Sequence, residues 1–414
     1  MGYPVIPNTV RISKTDTVGR PESSTAIPDI LLSPPRPTPR SKNIFAFWNT
    51  GLLTMPPYLL RNILAWHHRL SALGWNIYVL DTQDSSTLNV ASYVDTSDST
   101  VVPDAFRHHQ LNGEYAAQHT SDLVRYPLLL KYGGVYLDVG ILQFGDLDWL
   151  WTQHIANPES PYDFAGFAMG EPPHDISIVN FALVCGAGNP LMLRAHKILL
   201  KLWEGKTNTN GMHSHPLVSH VPLMHVPSEV MVSDDVGGKM LINDEVMTDY
   251  AIQIQCMGSA QRWVDPDDGW DGPRYVRERC WLYSMLDNSM LFEQIAGWSG
   301  KRAFDLLSLR LVSATKQETD DHKMARQIVE MTVARSWCLK LGHGFSAKLF
   351  GGDTLGMCWR KHEGSDCKQD TYAGWLRWAE SNLAQEEPPL PLKMPVYEAT
   401  KAAKLYDYLT VNVL

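Results

Sequence analysis

The stretch Thr120–Ile141 (TSDLVRYPLLLKYGGVYLDVGI) holds the residues best placed for chemistry. Asp122 and Arg125 are three apart, which sets a carboxylate and a guanidinium on one helical face. Asp138 closes a short apolar run, Val135-Tyr136-Leu137, of strand character. Taken singly, each feature has a plain reading. An Asp–Arg pair at this spacing is usually an exposed ion pair worth ~0.2–0.5 kcal/mol, and a carboxylate at a strand end is often a turn residue. Taken together they describe a binding edge, because open α/β sheets place ligands outside the carboxyl ends of their strands.

The elements that must position these groups are legible around them. Thr120 and Ser121 offer a helix cap, and Leu128, Leu129, Leu130 and Tyr132 supply the buried side. Gly133 and Gly134 stop the helix, since glycine enters the left-handed cap conformation cheaply. Upstream, Asn43–Trp48 reads as a buried strand, Pro56-Pro57 opens a helix with Leu60, Ile63, Leu64 and Leu70 inside, and Trp75–Leu80 is a second strand ending at Asp81. Strand–helix–strand order predicts a parallel right-handed unit. Downstream, strands are predicted at Phe164–Met169 and Phe181–Cys185, with an amphipathic helix from Asn189-Pro190 to Trp203. Residues 205–275 read as irregular with short strands, 285–312 and 322–337 as helical, 342–374 as loop, and 398–409 as a last short helix.

Bulk properties exclude several classes. The 414-residue chain is 44% hydrophobic and 20% charged, the balance of a soluble globular protein. A net charge of −9 argues against a general nucleic-acid or polybasic membrane binder. No apolar run is long enough for a membrane span, and the amino terminus lacks a signal-peptide core. The six cysteines show no CxxC spacing and read as reduced thiols of a cytoplasmic protein, with a Cys358–Cys367 disulfide as the alternative. Residues 1–42, rich in Pro, Ser and Thr, are expected to be a mobile tail. Fourteen tryptophans suit pocket walls as well as core.

The string SDLVRYPLLLKYGGVYLD resembles the nucleotide-sugar-binding core of a glycosyltransferase superfamily with the GT-A fold. Its members include the capsular polysaccharide synthesis glycosyltransferases, the yeast initiating α-mannosyltransferases and the glucosyltransferase domains of clostridial toxins. The shared pattern is SDxxRxxxLxxxGGxYxDxD; FAFWNTG resembles the first strand, and NFALVCGAGNPLM a later segment. The resemblance covers residues 43–205 well and the rest loosely. It implies an α/β protein with a GT-A, Rossmann-like central mixed sheet flanked by helices and a largely helical, loop-rich C-terminal part. The implied organisation is a transferase domain over 43–385, with a nucleotide-sugar half (43–205) and an acceptor-side half (206–385), followed by an extension from 386 to 414.

By the same resemblance, Trp48 stacks on the nucleobase or is a core aromatic. Asp122 bonds ribose or sugar hydroxyls, and Arg125 reaches the diphosphate or the donor sugar. Tyr136 lines the donor site or is core. Asp138 matches the first aspartate of the DXD metal motif, for Mn or Mg. The second position is Gly140, which supplies no ligand. Water and phosphate complete the shell, another side chain substitutes, or metal dependence is lost. Asp146 and Asp148 are candidate substitutes that more readily cap a helix, and His343 is another. His213, His215, His220 and His225 form a sequence cluster without a full ligand spacing. Pro127 departs from the pattern inside the helix, where it removes one hydrogen bond. The implied activity is sugar transfer from a UDP- or GDP-sugar to an acceptor hydroxyl, with retention, on a small molecule or secondary metabolite. The rival readings are a GT-A scaffold repurposed for other chemistry or binding, and transfer to protein side chains.

Overall fold

Six strands pair into one mixed sheet in the order Cys280–Ser284, Phe164–Met169, Ser177–Cys185, Gly134–Leu137, Lys42–Phe47, Trp75–Leu80. This is a computed structural model, and it describes residues 3–12, 26–170, 176–225, 242–312 and 317–394. Ser177–Cys185 runs antiparallel to both its neighbours, while every other pairing in the sheet is parallel. Along the strands the side chains alternate. Ile44, Ala46, Ile77, Val79, Val135 and Leu137 enter one core; Phe45, Tyr78, Tyr136 and Leu183 enter the other. Both sets are buried, so helices cover both faces, the expected GT-A-like α/β arrangement. Pro57–Leu70 packs on the first face, and Ala116–Tyr132 and Pro190–Leu202 on the second.

The helix carrying Asp122 and Arg125 spans Ala116–Tyr132, so Thr120 and Ser121 are not its cap. Their hydroxyls act elsewhere: Thr120 Oγ1 donates to the Ala116 carbonyl at 2.7 Å, and Ser121 Oγ shares a 2.6 Å hydrogen bond with the Tyr136 hydroxyl. The glycine stop is as expected. Gly133 and Gly134 both have positive φ, and a Cβ on either would overlap backbone of Ala187 or Asn43. Helix and strand can meet this closely only at glycine.

A second, two-stranded sheet matters more for the site. Cys338–Lys340 pairs antiparallel with Ile141–Gln143, with Lys340 opposite Ile141, and the Leu341 amide donates to the Gly140 carbonyl at 2.8 Å. This pairing brings the late chain onto the end of the Asp138 strand.

Three regions differ from the sequence reading. Thr9–Arg11 pairs with Leu383–Gln385, and Ile6 and Leu31 are buried in the main core, so these parts of the Pro-rich segment are packed rather than mobile. Within 205–275, Ile252–Arg262 is a buried helix. Gln253, Gln255 and Gln261 interrupt its apolar pattern, yet each is buried and donates to a backbone carbonyl, of Asp122, Pro222 and Ile176 respectively. Within 342–374, Phe345–Leu349 and Leu355–Lys361 are helices, the second capped by Thr354. The helix expected at 398–409 lies outside the described residues. All six cysteines are free. Among the described residues no helix is long and apolar enough to cross a membrane.

The C-terminal helix Tyr372–Asn382 is fixed to Pro57–Leu70 by a buried ionic network. Asp366 accepts from Arg61 at 2.5 Å and from Arg377 at 3.0 Å, and Arg377 also pairs with Glu380 at 3.0 Å. Removing one member of such a network strands a buried charge. Glu293 has no such support. It is buried, its Oε2 has no hydrogen-bond partner, and burial pushes its pKa up to about 7.

A carboxyl whose folded pKa is raised stabilises the protein least once it is ionised, so stability falls as pH rises from the unfolded value to about 7. Glu293→Gln should therefore raise the unfolding free energy at pH 8 by up to ~3 kcal/mol relative to its effect at pH 4. Denaturant titrations of both chains at the two pH values measure this, and an equal effect at both would contradict it.

Candidate active site

A cavity of about 610 Å³ opens at the carboxyl ends of the Lys42–Phe47 and Gly134–Leu137 strands, where an open α/β sheet binds ligands. Trp48, Asp122, Arg125 and Asp138 all line it. Trp48 packs against the core and contributes to the cavity wall. Tyr136 does not line the cavity. It is 1% exposed and lies beneath Arg125, whose guanidinium sits 4.5 Å from the ring centroid.

Arg125 organises this floor. Its Nη1 donates to the Asn180 carbonyl at 2.6 Å and its Nη2 to Ser121 Oγ at 3.1 Å, and Nη2 forms an ion pair with Asp122 Oδ1 at 2.9 Å. Asp138 Oδ1 lies 3.6 Å away. Burial acts to lower the Arg125 pKa, but Tyr136, Asp122 and Asp138 more than offset it and hold the guanidinium charged. At 3% exposure, with three hydrogen bonds to Ser121 and Asn180 and an ion pair to Asp122, Arg125 sets the positions of other groups.

Asp122 is held from several sides. Asn180 Nδ2 donates to its Oδ1 at 3.1 Å and to Gln253 Oε1 at 2.9 Å, while Gln253 Nε2 donates to the Asp122 carbonyl at 2.5 Å. Asn180 is carried by the antiparallel strand, and Gln253 by the Ile252–Arg262 helix. Sequence reasoning flagged the Asn180 segment only through the resemblance and missed Gln253, which stood in a stretch read as irregular. Pro127 lies within the helix and, lacking an N–H, leaves the Leu123 carbonyl without its usual helical donor.

Asp138 is the most accessible of these groups, with 26% of its side chain exposed. Its Oδ2 accepts from Lys340 Nζ at 2.8 Å. Lys340 reaches it through the small sheet, and no local motif signals that pairing. His343 also lines the cavity; burial, then the charges of Lys340 and Arg360, push its pKa down to about 3, so the imidazole is neutral. Its Nε2 is buried without a hydrogen-bond partner and faces Gly140: a Cβ there would lie 3.6 Å from it.

Among the described residues most of the candidate cation ligands are paired with other groups. Mg and Mn take several hard oxygen ligands. Here the Asp138 carboxylate is neutralised by a lysine, Gly140 offers nothing, and His343 adds one nitrogen. Asp146 caps the turn at Trp149, and Asp148 accepts from Lys42 at 2.6 Å and the Trp75 indole at 2.8 Å. His213 and His225 pair separately with Asp249 and Asp244. Among the described residues no group of three or more His, Cys, Asp or Glu is gathered to hold a metal ion.

Tyr58, Leu59, Met224, Met247, Tyr250 and Ile254 add apolar and aromatic surface to a lining that also includes Asn49, Thr50, Gln118 and Ser346, and Tyr250 stacks on Phe345 at 3.9 Å. The site thus combines charged groups at the strand ends with apolar surface.

Known proteins share this chain's pattern. The family model described as capsular polysaccharide synthesis protein matches residues 21–211. The O-glycosyltransferase braB of Annulohypoxylon truncatum is 34% identical over 360 residues, spanning 86% of this chain and 84% of the relative. The glycosyltransferase afumC of Aspergillus fumigatus is 31% identical over 373 residues (89% and 92%), and the O-glycosyltransferase PaGT of Phomopsis amygdali 31% over 361 residues (87% and 86%). With this likeness over most of its length, the chain belongs to this family of glycosyltransferases.

Proposed function

We propose that this transferase moves a sugar from a nucleoside diphosphate donor to a hydroxyl of an apolar small molecule, such as a secondary metabolite, with retention at the anomeric carbon. The observation that carries the reading is a single cavity at the strand ends lined by two carboxylates and a lysine together with apolar and aromatic side chains. Two of the relatives are named O-glycosyltransferases, which supports an oxygen acceptor.

In this reading the sugar nucleotide lies across the strand ends. Trp48 packs against the base, and Asp138 accepts hydrogen bonds from hydroxyls of the ribose or sugar. Asp122 presents its remaining oxygen to the donor, oriented by Asn180 and Arg125. The acceptor enters along Met224, Met247, Tyr250 and Ile254, where burial of apolar surface at roughly 25 cal/mol per Å² favours a hydrophobic molecule. The anomeric carbon–oxygen bond breaks with its electron pair on the diphosphate. The acceptor oxygen bonds to that carbon, and its proton passes to the departing phosphate oxygen. Fixed charges aimed at the developing negative charge are the main source of rate in such a site.

Asp138→Asn tests the donor wall. The asparagine keeps the size and hydrogen-bonding capacity of the side chain, so the variant should fold, while kcat/KM for sugar transfer falls ~10²-fold. Unaltered transfer by the variant would remove Asp138 from the site. Retention is read from the anomeric proton coupling of the product by NMR: the same configuration as the donor sugar is expected, and the opposite one would show inversion.

A further inference from the structure

A sugar nucleotide brings a diphosphate, and its charge needs cations that Arg125 does not supply. The Arg125 nitrogens are bonded to Ser121, Asp122 and Asn180. Two other cations line the same cavity, Lys340 and Arg360. Lys340 sits with Nζ 2.8 Å from Asp138, and 18% of its side chain is exposed. Arg360 is on the Leu355–Lys361 helix, is exposed, and among the described residues makes no hydrogen bond or ion pair. An unpaired guanidinium at a cavity rim is suited to phosphate, whose oxygens match its fork.

Gly140 links the absent second carboxylate to the lysine. A Cβ at 140 would stand 3.0 Å from the Leu341 carbonyl oxygen and 3.5 Å from the Leu341 Cβ. Without one, the Cys338–Lys340 strand lies close against Ile141–Gln143, and that closeness delivers Lys340 to Asp138. The position that gives up a metal ligand therefore admits the strand that brings a fixed positive charge.

We propose that Lys340 and Arg360, in place of a divalent cation, hold the donor diphosphate, so that donor binding is independent of metal. This rests on the transferase reading above. In outline, the diphosphate takes hydrogen bonds from the Lys340 ammonium and the Arg360 fork, and Asp138 is freed toward the donor's hydroxyls.

Calorimetry on the full chain tests it, with UDP, UMP, GDP and GMP as probes, first with EDTA and then with MnCl2. With EDTA, one of the two diphosphates should bind about tenfold or more tightly than its monophosphate, and manganese should leave that preference unchanged. Lys340→Met and Arg360→Gln should each weaken the diphosphate about tenfold and leave the monophosphate affinity and the unfolding midpoint as they were. Arg360 is exposed, so its variant keeps the test valid should Lys340→Met fold poorly. Diphosphate binding that appears only with manganese, or both variants binding as the parent does, would overturn the proposal. Failure of UDP and GDP to bind in either buffer would instead overturn the sugar-nucleotide reading beneath it.

Discussion

The burial of Arg125 is the constraint on which the rest depends. A guanidinium at 3% exposure is tolerable only if its donors and charge are answered. The answers come from three separate pieces of chain: Ser121 and Asp122 on its own helix, the Asn180 carbonyl on the antiparallel strand, and Asp138 past the end of the parallel one. Satisfying this one side chain fixes how helix, strand end and reversed strand sit together. The reversed strand contributes to the set through its Asn180 backbone carbonyl.

Around that core the charges are matched in pairs. Asp122 is answered by Arg125, and Asp138 by Lys340, while Arg360 remains as surplus positive charge at the rim. Such a wall is prepared for an anion. The same lining carries methionine, isoleucine and tyrosine, and methionine in particular adapts to ligands of irregular shape. The small sheet and the helices after it help close the cavity, because they fold residues beyond 338 back onto the strand ends.

The parts of the molecule written in local pattern were legible from sequence. The Trp75–Leu80 and Phe164–Met169 strands, the glycine stop at 133–134 and the Pro190–Leu202 helix follow from period, β-propensity and turn chemistry, and they lie where expected. The missed elements owe their form to distant contacts. Ile252–Arg262 is a core helix whose three buried glutamines hide its apolar face, because each is satisfied by a carbonyl elsewhere in the chain. Thr120 and Ser121 looked like a cap and are used within and beneath the helix. Pairing of Lys340 with Asp138 joins residues 202 apart, and no local rule reports it. Asp122 and Asp138 could be named in advance, but the groups that tune them could not. The same holds for Tyr136, whose burial beneath a guanidinium depends on packing rather than on its place in the motif.

The most direct measurement is a crystal structure of the protein with a nucleoside diphosphate and manganese, with data collected at the manganese absorption edge. The account predicts the base against Trp48 and the phosphates within hydrogen-bond distance of Lys340 Nζ and the Arg360 guanidinium, with no anomalous peak beside Asp138. A manganese ion bridging Asp138 and the phosphates, or a nucleotide bound away from the strand ends, would contradict it.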